Sequence, residues 1–409
     1  MESLRREFSF VKGNYAIILT SWILIDFASE LPGTYYALYV LQLGATETIL
    51  GLIALSGFIA LASMQFPGGY LADKFGRKWL VSSMTFGVAL SFILYAIAPS
   101  WHLILIGVVL MNLFNSIYQP ALMAIVADSL SPENRGMGFS IIMLITSTST
   151  TPGPLVAALF YKQFGLVQGM RIAYGVVVGL FLAAALMRLR LKETFINVQK
   201  PTIMEVLRSY PTALKESFSV WSKVPRSMFH LFLSNTIMMF GVSAVQVYLV
   251  VYAVQELLID KAVWPLILTV LPITMIALSI PIGKIVDKTN RKIPLLAAYW
   301  CFGLALWLFL NGDVPRLFVS LALIGFGQVL MNTASSALQT DLTPKEHRGK
   351  VNGFSSFVGD IVMAFGSFIG GVLYDHVSPQ TPFYLAIVFI VPSFILTLIK
   401  VHEPKKREE

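Results

Sequence analysis

The chain has 409 residues, of which 56% are hydrophobic and 13% are charged, and its formal net charge is +8 at pH 7. Soluble domains carry about 25% charged residues, so this composition excludes an ordinary soluble protein and indicates a membrane protein. The single cysteine, Cys301, excludes an intramolecular disulfide framework.

Twelve apolar segments follow one another along the chain, each near the roughly 20 residues that a membrane-spanning helix needs. Cutting the sequence at its charged residues places them at 14–42, 48–72, 79–98, 103–127, 136–161, 171–189, 228–254, 262–283, 293–312, 317–340, 351–374 and 380–399. The turn signal Pro99-Ser100-Trp101-His102 separates the third segment from the fourth. The sequence therefore predicts an all-α polytopic membrane protein with twelve transmembrane helices.

The basic residues predict the orientation of these spans. With the N-terminus inside, the outer loops contain only four basic residues, Lys162, Arg171, Lys261 and Arg316. By the positive-inside rule we expect both termini in the cytoplasm and the chain in the plasma or inner membrane. The positive charge then faces a membrane surface, so the expected partners are the lipid bilayer and a small solute, with no nucleic acid.

Three carboxyls lie deep inside predicted spans. Asp26 and Glu30 are about 18 and 24 Å along the first span and share one helix face, and Asp360 is similarly deep in the eleventh. Carboxyls inside a membrane are costly and usually face a cavity or a partner. Because no Lys or Arg is predicted in the middle of a span, we expect these acids to be protonated, bound to a cation or open to water. The alternative is that they are hydrogen-bonded structural acids.

A short charged segment joins the second span to the third and occurs twice. Gly69-Tyr70-Leu71-Ala72-Asp73-Lys74-Phe75-Gly76-Arg77-Lys78 matches Gly283-Lys284-Ile285-Val286-Asp287-Lys288-Thr289-Asn290-Arg291-Lys292. Asn290 replaces Gly76, and both residue types enter the left-handed region readily. Two further stretches repeat at nearly the same offset, 128–136 with 341–349 and 153–159 with 366–372. The pattern resembles the signature loop of the major facilitator superfamily, and the repeats indicate a duplicated chain.

This resemblance implies a fold and an activity class. The family's fold is two pseudo-symmetric six-helix bundles, so we expect bundles at 1–190 and 227–409 and a cytoplasmic linker at 191–226. The implied activity is solute transport by alternating access, which is not an enzyme activity. No cofactor and no metal are expected, the coupling ion is expected to be H⁺, and the protein is expected to be a monomer.

The resemblance also implies which residues line the substrate path, because spans 1, 4, 7 and 10 line the family's central cavity. The polar and aromatic residues of these spans are Tyr35, Tyr36, Asn112, Asn115, Gln119, Asn235, Gln246, Tyr248, Gln328 and Asn332. Alternatively, such amides form hydrogen bonds between helices in a dry bundle.

In the family, charges beside the signature loops form a conformational gate. The residues that match it here are Gly69, Asp73, Gly76, Arg77, Asp128 and Arg135, with Asp287, Arg291, Asp341 and Arg348 as a weaker second copy. The alternative is loop charge that only sets the topology.

Gly153-Pro154 in the fifth span resembles the Gly-Pro signature of proton-driven antiporters, and with Pro152 it predicts a helix kink. Pro32-Gly33 predicts another kink. Two departures weaken this assignment: Ala157-Ala158 replaces an expected glycine pair, and no arginine occurs near 110–112.

We therefore predict a proton-coupled exporter of small cationic or amphipathic compounds, with Asp26, Glu30 and Asp360 as the proton or substrate sites. One alternative is a proton symporter or facilitator that imports a sugar, organic acid or other metabolite. An alternative of another class is a receptor or scaffold that does not transport.

Overall fold

The computed structural model describes residues 10–194, 211, 214–215 and 218–403, apart from the side-chain surroundings of Phe66, Gly69, Tyr70, Ala72, Asp73, Lys74, Phe75, Pro132, Ser147 and Asp287. Across these residues the chain is built from helices. They are α1 (Gly13–Gly33), α2 (Tyr36–Gln42), α3 (Glu47–Phe75), α4 (Arg77–Ala96), α5 (Trp101–Ser129), α6 (Arg135–Thr150), α7 (Gly153–Phe164), α8 (Leu166–Arg188), α9 (Arg226–Gln246), α10 (Leu249–Gln255), α11 (Trp264–Lys288), α12 (Lys292–Leu310), α13 (Val314–Leu342), α14 (Arg348–His376) and α15 (Thr381–Lys400).

Twelve stretches of the described chain are helical, long and apolar enough to cross a membrane, which confirms the twelve predicted spans. Helices form here because a backbone surrounded by hydrocarbon must satisfy its own hydrogen bonds. The fifth span combines α6 with α7, and the seventh combines α9 with α10. The prediction of an all-α polytopic fold is therefore confirmed.

Proline and glycine interrupt two of the spans. α1 ends at Gly33, directly after Pro32, and a turn separates it from α2. In the fifth span α6 ends at Thr150 and α7 begins at Gly153. A proline cannot donate a backbone hydrogen bond to the preceding turn, so each interruption lies where the sequence removes a donor.

The two signature turns differ in backbone conformation. Gly76 joins α3 to α4 with φ of 89°, which is unfavourable for a residue with a Cβ. Asn290 does not repeat this, because Leu258 is the one described non-glycine residue with positive φ. The expectation that Asn290 replaces the glycine conformation is therefore wrong. Instead, its side-chain Oδ1 accepts a hydrogen bond from the backbone N of Lys292 at 3.1 Å.

The described chain clusters into two compact units, Met1–Tyr36 with Ala60–Ala213, and Ala37–Ile59 with Leu214–Glu409. The same helix pairings occur in each. In the first unit α4 packs against α5 and α8, and in the second α12 packs against α13 and α15. Likewise α1 packs against α6 and α8, and α9 packs against α14 and α15. The duplication read from the sequence is therefore matched by a repeated packing pattern.

Aromatic side chains fill equivalent parts of both units. In the first unit Tyr95 and Tyr174 have ring centroids 4.9 Å apart, and Phe181 packs beside them through Phe92. In the second unit Phe309 stacks on Phe383 at 5.6 Å. These large rings supply much of the buried apolar area that holds the helices of a unit together.

Residues 37–59, from the N-terminal half of the sequence, belong to the second unit because glycines allow a close helix contact there. A Cβ on Gly51 would lie 2.6 Å from the Tyr248 hydroxyl and 2.8 Å from the Ser367 carbonyl oxygen. A Cβ on Gly371 would lie 2.4 Å from the Glu47 carbonyl oxygen. The division at 1–190, 191–226 and 227–409 stays a prediction.

Candidate functional site

Asp26 and Glu30 lie in the second half of α1, one turn apart and both half-buried. α1 packs against α5, α6, α7 and α8 of the first unit. The two carboxyls interact electrostatically with each other. They therefore form one site, in which the ionisation of one acid opposes that of the other.

Glu30 lies against the two helix interruptions of the first unit. A Cβ on Gly153, the first residue of α7, would lie 2.8 Å from the Glu30 Cβ and 3.1 Å from its carbonyl carbon. A Cβ on Gly33, where α1 ends, would lie 3.5 Å from Glu30 Oε2. The glycine of the Gly-Pro pair therefore lets α7 touch the backbone of α1 at its acidic residue.

Arg188, the last residue of α8, brings a positive charge into the same unit and is only 1% exposed. Its Nε donates to Ser21 Oγ at 3.1 Å, and its Nη1 donates to Thr85 Oγ1 at 2.8 Å. The guanidinium also lies 5.4 Å from the ring centroid of Tyr118, within cation–π range. Three neutral groups on α1, α4 and α5 therefore surround this buried cation.

Asp26 lies within electrostatic range of that cation. Arg188 attracts it electrostatically, and the side chains of Thr146 and Trp22 also interact with the carboxyl. Its Oδ2 is buried without a hydrogen-bond partner. Among the residues described, no three His, Cys, Asp or Glu side chains are grouped so as to hold a metal ion.

The backbone of Arg188 lies at the end of its span, as expected, but its buried side chain still interacts electrostatically with Asp26. Arg188 stands at the end of its apolar segment in the sequence, where a basic residue ordinarily lies at the membrane surface. Side chains in a helix lean toward the helix N-terminus, and for α8 that direction leads back into the unit. A basic residue in the last turn of an apolar span was the signal that sequence reasoning did not use.

The predicted cavity residues of the first unit have mixed surroundings. Tyr35 is 1% exposed and packs on Tyr161 with ring centroids 5.3 Å apart. Tyr36 packs on Tyr95 at 6.4 Å. The Nδ2 of Asn112 donates to Val108 O in its own helix at 2.9 Å. Asn115, whose buried Oδ1 has no hydrogen-bond partner, and the half-buried Gln119 follow on α5.

In the second unit, two of the predicted residues join helices. Asn235 Nδ2 donates to Ser335 Oγ at 2.9 Å, linking α9 to α13. Tyr248 is fully buried, and its hydroxyl donates to the Ser367 carbonyl oxygen at 2.8 Å. These bonds match the alternative in which polar groups connect helices. The others are less enclosed, since Gln246 and Asn332 are exposed and Gln328 and Asp360 are half-buried.

Each unit contains an ion pair beside its signature turn. Arg77 donates to Asp128 in the first unit, and Arg291 donates to Asp341 in the second. The Asp341 side chain is 8% exposed and that of Asp128 is 42% exposed. The copy predicted to be weaker is therefore the more buried pair.

The remaining gate residues have varied settings. Arg348 donates to the carbonyl oxygens of Thr343 at 3.1 Å and Thr340 at 2.9 Å, at the end of α13, and Arg135 is exposed. The side-chain surroundings of Gly69, Asp73 and Asp287 lie outside the described residues.

Two carboxylates that sequence reasoning missed cap helices beside these turns. Glu193 accepts hydrogen bonds from the backbone N of Arg77 and of Lys78, each at 3.1 Å, at the start of α4. Glu403 accepts from the backbone N of Lys292 at 2.9 Å, at the start of α12. An acid suits the positive end of a helix dipole. Each of these two acids follows the last span of its unit, so the helix caps are a further part of the internal repeat.

Comparisons with known proteins agree with this architecture. The family model described as Major Facilitator Superfamily matches residues 18–258 and 231–409. An uncharacterized MFS-type transporter of Methanocaldococcus jannaschii is 24% identical over 89% of this chain and 92% of its own. Multidrug resistance protein MdtH of Salmonella arizonae is 27% identical over 82% of this chain and 80% of its own.

A solved structure of the nucleoside transporter NupG superposes with a TM-score of 0.75 at 13% identity, covering 94% of this chain and 99% of that one. At this identity the likeness concerns the fold alone. Three observations lead to one conclusion: the helix packing repeated in the two units, the repeated signature loops and the family-model match. The chain belongs to the Major Facilitator Superfamily of membrane transporters.

Proposed function

We propose that this protein exports small cationic or amphipathic compounds in exchange for protons, by alternating access. The observation that carries the proposal is the pair of carboxyls Asp26 and Glu30, one turn apart inside the first unit. An acid in such a place can be neutralised by a proton or by a cationic substrate. The proton and the substrate compete for the same carboxyls. After one of them has bound, the protein therefore reopens preferentially toward the side of the membrane that supplies the other.

The names of several relatives support export. MdtH is called a multidrug resistance protein, and PmrA of Streptococcus pneumoniae, 24% identical over 81% of both chains, is called a multi-drug resistance efflux pump. A Na⁺, Li⁺, K⁺/H⁺ antiporter of Planococcus maritimus is 30% identical over a stretch that covers 28% of each chain. The names of these relatives support an exchange of protons for cations in this chain only as part of this proposal.

The location of the protein, its orientation and the roles of further residues in the transport cycle belong to the same proposal. We propose that both termini face the cytoplasm, that the spans lie in the cell membrane, and that H⁺ is the coupling ion. The half-buried Asp360 is a further candidate proton site, and Asn115 and Gln119 are candidates for the substrate path. The pairs of Arg77 with Asp128 and of Arg291 with Asp341 would act as the conformational gate.

Proton release from the purified protein in weak buffer tests this function. A pH dye would be read while tetraphenylphosphonium, a neutral sugar or an organic anion is added to wild type, Glu30→Gln and Asp26→Asn. We expect tetraphenylphosphonium to release protons from wild type and to release fewer from each variant. Glu346→Gln, at an exposed acid in the segment before α14, should behave as wild type.

Other outcomes would overturn the proposal. Proton uptake on adding the sugar or the anion would indicate a symporter. Ligand binding without any proton change would indicate a facilitator or another coupling ion. Absence of both binding and transport for every ligand class would favour a receptor or scaffold.

A further inference from the structure

We infer that Asp26, Glu30 and Arg188, here called the first-unit charge cluster, carry a net charge of −1 when no substrate or exchangeable proton is bound. The cluster would therefore exchange one proton for one monovalent cation, without net movement of charge. This inference rests on the proposed function and adds to it the charge of the substrate and the coupling stoichiometry.

The first unit has charged residues both within its helix packing and around it. Among its described charged residues, these three have side chains within the packed helices. Arg171, in the second turn of α8, donates to the Ala98 carbonyl oxygen near the end of that helix opposite to Arg188. The others stand at helix ends or in connecting segments, and they are Lys12, Arg77, Lys78, Asp128, Glu133, Arg135, Lys162, Arg190, Lys192 and Glu193. Two acids and one base therefore share the interior.

The positive charge of Arg188 is fixed. A guanidinium is not deprotonated in proteins, and a buried charge is costly unless it is paired. Its hydrogen bonds go to the hydroxyls of Ser21 and Thr85, which do not cancel the charge. Asp26 is the carboxylate that attracts it. Arg188 and an ionised Asp26 therefore balance each other.

The second unit shows that packing alone does not require this cation. Its first, third and sixth spans meet at an equivalent polar node, where Ser234 Oγ lies 2.8 Å from the Tyr299 hydroxyl and 2.7 Å from Thr397 Oγ1. In the first unit Ser21 and Thr85 hold the corresponding positions on α1 and α4, and Arg188 comes from the sixth span. One node is neutral and the other is ionic, so the charge of Arg188 has a role beyond joining three helices.

Glu30 has no such partner in the cluster. Its electrostatic neighbour is Asp26, an acid. The helices packed against α1 supply Arg188 from α8, Tyr118 from α5 and Tyr161 from α7, with Lys162 at the far end of α7 and Arg135 at the exposed start of α6. The exchangeable proton of the cluster is therefore that of Glu30.

The exchange follows from the charge balance. When the Glu30 carboxyl loses its proton to water, the cluster changes from neutral to −1. A monovalent cation restores neutrality, and the unpartnered Oδ2 of Asp26 offers it an additional acceptor. A divalent cation would leave the site at +1 in a poorly polarisable interior, which is costly.

Proteoliposomes that contain a pH dye test the stoichiometry. Proton flux and uptake of radiolabelled tetraphenylphosphonium, a monovalent cation, would be measured together at membrane potentials set with potassium and valinomycin. We expect one proton per cation and an accumulation that does not depend on the potential. Movement of one net charge would instead change the accumulation about 50-fold per 100 mV.

Charge-changing variants test the assignment of each residue. Arg188→Gln should raise the ratio above one proton and make accumulation depend on the potential, and Arg188→Lys should keep the wild-type ratio. Asp26→Asn should lose proton coupling, because Arg188 then balances Glu30. The double variant Asp26→Asn/Arg188→Gln removes one charge of each sign and should regain one-to-one exchange. Thr397→Val, which perturbs the neutral node of the second unit, should leave the ratio unchanged.

The outcomes separate this inference from the function on which it rests. If no cation drives proton flux in wild type, the proposed function fails. If two protons are exchanged per cation, or if accumulation depends strongly on the membrane potential, only the present inference fails. A return to one proton per cation in Asp360→Asn would then assign the second proton to Asp360. If Arg188→Gln does not fold, the proton-to-cation ratio of wild type and that of the double variant still test the inference. A double variant that folds without regaining coupling would overturn the charge balance.

Discussion

Replacing Gly153 by alanine tests whether α7 sets the position of Glu30. The added Cβ would lie 2.8 Å from the Glu30 Cβ and 3.3 Å from the Leu31 backbone N. Two of its three nearest contacts are backbone atoms of α1, so the strain cannot be relieved by turning one side chain. Overpacking of this kind costs about 1–3 kcal/mol, and an alanine inside a helix returns up to about 1 kcal/mol. We expect a net loss of about 1–2 kcal/mol.

The assay has two readouts, the thermal unfolding midpoint in detergent and the pH dependence of proton-coupled transport. Gly153→Ala should lower the unfolding midpoint and shift the pH dependence of transport, because α1 must move at Glu30. Gly175→Ala is a matched control in α8, where an added Cβ meets nothing within 4 Å. If the two variants had equal stability and the same pH profile, the close contact would not govern the site and the reasoning would be refuted.

Three further predictions concern the second unit. Arg291→Gln should destabilise the protein by about 3–5 kcal/mol, because it leaves the buried carboxylate of Asp341 unpaired. Arg77→Gln should cost about 1 kcal/mol or less, because its partner Asp128 is 42% exposed. Equal unfolding midpoints for the two variants would contradict this. Gly371→Ala should lower the unfolding midpoint, since its Cβ would lie 2.4 Å from a carbonyl oxygen, and Gly283→Ala, with open space around it, should not. Glu403→Ala should cost up to about 1 kcal/mol, because it removes one of the two acceptors of the Lys292 N–H at the start of α12 and leaves only Asn290 Oδ1. Unchanged amide exchange in the first turn of that helix would argue against the cap.

Hydropathy was sufficient to predict the spans because a membrane-crossing helix is defined by an unbroken apolar length. Proline and glycine likewise located the interruptions of the first and fifth spans, since a missing backbone donor acts locally. The repeated signature segments predicted a duplicated fold, and the comparisons confirm the family. These features depend on neighbouring residues in the sequence, and so they could be read from it.

The candidate site was harder to predict because its parts come from different helices. The partnership of Arg188 with Asp26 joins residues far apart in sequence, and it depends on the direction in which a terminal side chain leans. The contact of Gly153 with Glu30 also required the packing of α7 on α1. For Asn290, residue type suggested a left-handed turn, but its side-chain bond to Lys292 allowed a different backbone path.

The glycine contacts of residues 37–59 have a consequence for biosynthesis. Gly51 is translated long before Tyr248 and Gly371, the partners that enclose this segment in the second unit. At about 5–20 residues per second, ribosomes need on the order of 15–65 s to pass from the first glycine to the last. During that interval the start of α3 is in the membrane without its native contacts. Substitutions in this segment should therefore act on the yield of inserted protein as well as on its final stability.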